Sequence, residues 1–128
     1  IRERVAYRPG TTSVVTPAEE ALALKSGVCQ DHSHIFIATA VALGFPARYV
    51  SGYLMMDAAV EQAASHAWAE AYVVGLGWVA FDPANGISPD ERYVRVATGR
   101  DYSDASPVSG ILLGQAQEKL AVTVTVEQ

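Results

Sequence analysis

Cysteine is nearly absent from this 128-residue chain: Cys29 stands alone. A single thiol cannot build an internal disulfide framework or an all-cysteine zinc site. Basic residues are sparse as well. Nine lysines and arginines face fourteen aspartates and glutamates, giving a net charge of −5 with no Lys/Arg cluster. That balance does not suit a nucleic-acid backbone, so nucleic acid is not expected as a partner. No apolar run approaches the length of a membrane span, so no membrane is expected either. A basic segment followed by an apolar one, as in a signal peptide, is also missing. The chain starts at Ile1 rather than methionine and reads as an excerpt of a longer protein. One unpaired thiol fits a reducing compartment, which points weakly to the cytoplasm.

What is present suffices for a core. Half of the residues are hydrophobic and 18% are charged, which excludes wholesale disorder. The length supports one domain, residues 1–128. Residues 1–15 are polar and broken by Pro9-Gly10, so they read as extended or loop. Thr16, Pro17 and Glu19 form a helix-start signal, with Thr16 as cap, for a helix over 17–25. A second helix is predicted over 29–43. It is apolar on every side from Ile35 to Leu43, as buried helices are, and Gly44 and Pro46 end it.

Strands follow. Residues 47–55 are rich in β-formers. Residues 66–74 alternate, with His66, Trp68, Glu70 and Tyr72 on one face. Gly75-Leu76-Gly77 turns the chain into a strand over 78–81, and Asp82-Pro83 ends it. Further strands are predicted over 92–98 and 120–127, separated by a loop over 101–114. Helices first and hairpin-linked strands later mean α+β with an antiparallel sheet.

Cys29 carries the chemistry. It opens the second helix, where the positive end of the helix dipole and unpaired backbone N–H groups favour a thiolate. The same N–H groups can hold an oxyanion. Gly27 allows a tight approach to the helix and leaves room for a substrate. A nucleophilic thiol needs a base and a group to orient that base. His32 and His34 sit on the cysteine's own helix and are badly placed for the task; they read as polar residues near a helix start. His66 opens a separate strand 37 residues later, and Asp82 follows after a further 16. Such an order is a weak signal by itself. A simple hairpin also works against it: pairing 74 with 78 puts Asp82 opposite Glu70, roughly 13 Å from His66 at strand rise. A bulge or a shifted register is then required. The spacing of Cys29, His32 and His34 is not a zinc-finger pattern, and no metal is expected. Trp68 and Trp78 could line a substrate groove, and Tyr53 and Tyr72 could each supply a hydroxyl near the site; Trp68 and Tyr53 are the substrate-binding candidates. Sheet packing is the plainer reading of both tryptophans.

Three blocks carry a stronger signal: GVCQDHSHIF, ALGFPARYVSGYL and SHAWAEAYVVGLGWVAFDPANG. In that order they resemble the catalytic core of the transglutaminase-like superfamily, and above all its bacterial cysteine-protease-like members. RYVRVATGRDYSDASPVSGILLG and the last strand resemble those members too. The resemblance runs from about Thr16 to the end. It implies Cys29 as nucleophile, His66 as base and Asp82 as the residue that orients His66. It also implies a papain-like arrangement of a central helix on an antiparallel sheet, a thioester intermediate and no cofactor. Bacterial relatives often carry an aromatic or small apolar residue where His32 stands, and a β-rich region before the core. The expected activity is thiol-dependent amide hydrolysis or acyl transfer on a protein or peptide substrate. The alternatives are a transglutaminase or deamidase acting on glutamine side chains, or a non-catalytic interaction domain that keeps the fold.

Overall fold

The computed structural model describes residues 1–55, 61–62, 65–106 and 124–125. Its chain runs β1 (Ala6–Tyr7), α1 (Ala18–Leu24), β2 (Ser26–Gly27), α2 (Cys29–Ala42), β3 (Ala47–Leu54), β4 (Glu61–Gln62), β5 (Ser65–Val73), β6 (Gly77–Phe81), β7 (Tyr93–Gly99) and β8 (Val124–Thr125). Strands β6-β5-β3-β7 form one sheet in that order, with every pair antiparallel. Helix α2 packs on β5 and β3. The architecture is therefore α+β with an antiparallel sheet. Of the strand expected over 120–127, Val124–Thr125 pairs with β4, and the remainder lies outside the described residues. So do residues 107–114 of the expected loop. No helix among the described residues is long and apolar enough to cross a membrane.

Helix α1 starts one residue later than the sequence signal implies. The Thr16 hydroxyl accepts the Ser13 N–H at 2.9 Å, so the cap position falls to Pro17, which has no side-chain acceptor. The stretch read as extended or loop contributes one strand of a short parallel pair: Ala6 opposes Ser26 and Tyr7 opposes Gly27. Two residues are too few for periodicity to reveal such a pair.

Burial along α2 follows the prediction only in part: of the apolar run, Ile35 and Ala40 are buried. The polar first turns, with Cys29, Asp31, His32 and Ser33, are buried. The apolar end is not: Val41 is 56% exposed and Leu43 72%. An apolar composition marks a helix able to be buried, but the neighbouring elements decide which end is covered.

The β5–β6 hairpin resolves the distance problem at Asp82. Val73 pairs with Gly77 and Ala69 with Phe81: the turn keeps three residues but sits one residue earlier than in the simple hairpin, which shifts the pairing by two positions. Residues 74–76 make the turn, closed by the Leu76 N–H on the Val73 carbonyl at 3.0 Å. Gly75 and Gly77 take φ values of +89° and +81°, which non-glycine residues adopt only with strain. Continued by one step, this register places Asp82 beside Trp68. His66 is then two residues away, about 7 Å along the strand rather than 13 Å. Side chains span that gap.

Candidate active site

Cys29 is the first residue of α2, and the segment before it is tightly held. The Asp31 carboxylate accepts the Val28 N–H at 2.9 Å and the Thr12 hydroxyl at 2.5 Å. A Cβ on Gly27 would lie 2.7 Å from Asp31 Cβ. The space that glycine leaves is thus filled by Asp31, not kept for a substrate as the sequence suggested. The Ser33 hydroxyl donates to the Cys29 carbonyl at 2.8 Å, and Cys29 packs with Tyr49, Ala67 and Ala105. The thiol belongs to a residue only 9% exposed.

His66 reaches this thiol from β5. Its Nε2 lies 2.7 Å from Asp82 Oδ2, which leaves Nδ1 as the ring nitrogen available to the neighbouring Cys29. Burial opposes a charge on His66, but the hydrogen bond to Asp82, the neighbouring Cys29 and the negative charge of Asp82 outweigh it and raise its pKa to about 9. The imidazole therefore carries its proton at neutral pH.

Asp82 is 1% exposed, yet its carboxylate takes five donors. Oδ1 accepts the backbone N–H groups of Ala84 at 3.1 Å and Asn85 at 3.3 Å. Oδ2 accepts His66 Nε2, Asn85 Nδ2 at 2.8 Å and the Tyr93 hydroxyl at 2.6 Å. Burial alone would push its pKa up; the hydrogen bonds from His66, Tyr93 and Asn85 and the charge on His66 bring it down to about 2. The turn that supplies the two backbone donors closes through an isolated bridge between Asp82 and Ile87.

The structure thus brings Cys29, His66 and Asp82 together. Trp68 is 2% exposed and has its ring against His66 and Tyr93, at centroid distances of 6.1 and 5.1 Å. It offers packing beneath the imidazole rather than a surface for substrate. Tyr53 lies in β3 between Ser65 and Val94, and no hydrogen bond joins it to the three site residues. Trp78 packs on Tyr72 and carries the Arg48 guanidinium over its ring at 3.9 Å. His32 and His34 are occupied elsewhere. His32 Nε2 donates to the Val5 carbonyl at 2.9 Å, and His34 Nε2 accepts the Tyr102 N–H at 3.2 Å. Burial lowers the pKa of both, so neither is charged at neutral pH.

Three neighbours of the site escaped the sequence reading: Tyr7, Asn85 and Tyr93. The Tyr7 hydroxyl lies beside Cys29; burial first, then the neighbouring Cys29, raise its pKa. Strand β1 delivers Tyr7 there because it pairs with the residues just before Cys29, and the Arg8 N–H fixes that register on the Gly27 carbonyl at 2.8 Å. The signals available were Asn85-Gly86, read as a turn, and Tyr93, at the start of a predicted strand.

Comparison with known proteins identifies the family and the fold. The chain is 40% identical to an uncharacterized protein of Mycobacterium leprae over 98% of its own length and 46% of the relative's. It is 36% identical to an uncharacterized protein of Mycobacterium tuberculosis, over 94% of its own length and 41% of the relative's. The chain spans less than half the length of these relatives. Among solved structures it is similar to a "putative cysteine protease" from Cytophaga hutchinsonii, with a TM-score of 0.75 and 31% identity, covering 98% of this chain and 42% of that one. A sequence model of the transglutaminase-like superfamily matches residues 1–83, a segment that contains Cys29, His66 and Asp82. This chain belongs to the transglutaminase-like superfamily.

Proposed function

We propose that the chain is the catalytic core of a thiol-dependent amide hydrolase acting on protein or peptide substrates. The observation that carries this reading is His66, held between the Cys29 thiol and the Asp82 carboxylate. In this reading the thiol proton resides on His66, and the thiolate attacks the carbonyl carbon of a peptide or carboxamide bond. The oxyanion that forms lies at the start of α2, where the Cys29 N–H and the Tyr7 hydroxyl are both at hand as donors. His66 then protonates the leaving amine, and the acyl group remains on Cys29 as a thioester. Water, activated by the now neutral His66, releases the acid and restores the thiol. Asp82 keeps the imidazole in one orientation and supports its charge.

The name carried by the Cytophaga hutchinsonii structure supports hydrolysis over acyl transfer to an amine. The test is Cys29 alkylation by iodoacetamide at pH 6–7, followed by turnover of a peptide library with and without added amines. Fast alkylation that slows in His66→Ala, with turnover abolished in Cys29→Ala, is the expected result. Alkylation at the rate of a free thiol, unchanged in His66→Ala, would favour an interaction domain that keeps the fold. Products that carry the added amine would assign transglutaminase chemistry instead.

A further inference from the structure

Asp82 Oδ2 is a crowded acceptor. Three side chains donate to this one oxygen: His66, Asn85 and Tyr93. The Tyr93 bond, at 2.6 Å, is the shortest of the three. Its phenol is held by the strand as well as by the bond. Tyr93 is the first residue of β7, its N–H is fixed on the Asp90 carbonyl at 3.1 Å, and its ring stands edge-on to buried Trp68. The same ring lies 6.0 Å from the imidazole of His66. Tyr93 also lies ten residues beyond the segment the family model matches.

We propose that Tyr93 is a positioning residue that shares Asp82 Oδ2 with His66 and so moderates how strongly the carboxylate holds the imidazole. A donor on a carboxylate draws off part of its charge and makes it a weaker acceptor for every other partner. With Tyr93 in place, His66 keeps its proton firmly enough to support a thiolate, yet still gives it to a leaving amine. Without the phenol the carboxylate would hold the imidazolium more tightly, and proton donation to the amine would slow.

Other charges bear on His66 and Asp82. From α2 come the Cys29 thiol and the neutral ring of His32; from β1 comes the Tyr7 phenol. Arg92 acts on Tyr93 from the residue before β7, with its guanidinium bound to Asp90. None of these donates to Oδ2, so the Tyr93→Phe change isolates one bond.

The inference rests on the proposed role of His66, and the experiment separates the two. The imidazole of His66 is titrated by NMR in the free protein, wild type against Tyr93→Phe, and the alkaline limb of Cys29 alkylation is followed in parallel. The expected result is a rise in the His66 midpoint of about half to one pH unit, with the alkylation limb moving alike. Turnover should fall about tenfold in kcat with KM nearly constant. Asn85→Ala, on an exposed turn, removes a second donor from the same oxygen and should move the midpoint in the same direction. An unmoved or lowered midpoint in a folded Tyr93→Phe protein would overturn the proposal. Alkylation indifferent to His66→Ala would instead refute the active-site reading, while the NMR titration would still report on Tyr93.

Discussion

The first turn of α2 with its next residue carries Cys29, Asp31, His32 and Ser33, and all four are buried; the last turn and its cap carry Val41, Ala42 and Leu43, and all three face solvent. The buried end is tolerated because most of its polar atoms have partners, His32 Nδ1 being the exception. Asp31 takes the Val28 N–H and the Thr12 hydroxyl, Ser33 donates to the Cys29 carbonyl, and His32 donates to Val5. A buried polar group left without a partner costs about 1–3 kcal/mol. The solvent-facing end has no such requirement, because an exposed leucine forfeits only the gain of burial. One end of the helix is thus specified by hydrogen bonds and tolerates little change. The other is specified by little beyond helix geometry.

Asp82 extends the demanding end and should show the largest effect. Asp82→Ala leaves His66 without its carboxylate and strands the Tyr93 hydroxyl and two backbone N–H groups. Turnover should fall by about a thousandfold or more, as for loss of the orienting acid in related triads. Urea unfolding at pH 7 should show a loss of about 3 kcal/mol. Turnover within tenfold of wild type would remove Asp82 from the site.

The pH dependence of stability comes next. The His66 pKa stands at about 9 in the folded protein, above its ordinary value of 6.5. Its contribution is therefore fully present below pH 6.5 and is lost as pH rises through about 9. The size is at most about 3 kcal/mol. The Asp82 pKa stands at about 2 against an ordinary 3.8, so its contribution is present above pH 3.8 and is lost as pH falls toward 2. Chemical denaturation across pH 6–10 should show the alkaline decline in wild type and its absence in His66→Gln. A flat wild-type profile would mean that the imidazole is not held as described.

The sequence announces some of this arrangement and hides the rest for identifiable reasons. Gly27 followed by Cys29 at the head of an apolar run marks the helix and its first residue. Helices before hairpin-linked strands mark the α+β class. The proximity of Asp82 to His66 could not be read, because it depends on which residues make the turn. Glycine at 75 and 77 permits left-handed φ at both positions, but the residue type does not say that both adopt it. Tyr7 was hidden because a two-residue parallel strand has no periodicity. The uncovered end of α2 was misread because composition reports what a helix can bury, while covering it depends on elements far away in the chain.

His32 offers a smaller test within the buried end. Its ring is fully buried, and its Nε2 donates to the Val5 carbonyl, which ties β1 to α2. The ring also packs on Tyr7 at 5.9 Å. His32→Leu keeps most of the volume and leaves that carbonyl without its donor. Stability should fall by about 1–3 kcal/mol. Turnover should fall as well, because Tyr7 reaches Cys29 from β1. A variant that loses stability but keeps full turnover would separate Tyr7 from the reaction.

Leu43→Ser should give the smallest effect. The residue is 72% exposed and caps α2 rather than lying within it, so helix propensity contributes little. The side chain does border an apolar groove with Phe36, Phe45 and Phe81, so some contact is lost. The unfolding free energy should stay within about 0.5 kcal/mol of wild type, as for most surface substitutions, and turnover should be unchanged. Ile35→Ser on the same helix is the counterpart. Ile35 is buried with Val5 and Ala21, and the change removes packing while burying a hydroxyl, for a loss of about 3 kcal/mol or more. The ratio between these two variants compares the covered middle of α2 with its uncovered end. If Leu43→Ser costs as much as Ile35→Ser, the exposed end is held by contacts that its exposure conceals and is specified as closely as the buried part of the helix.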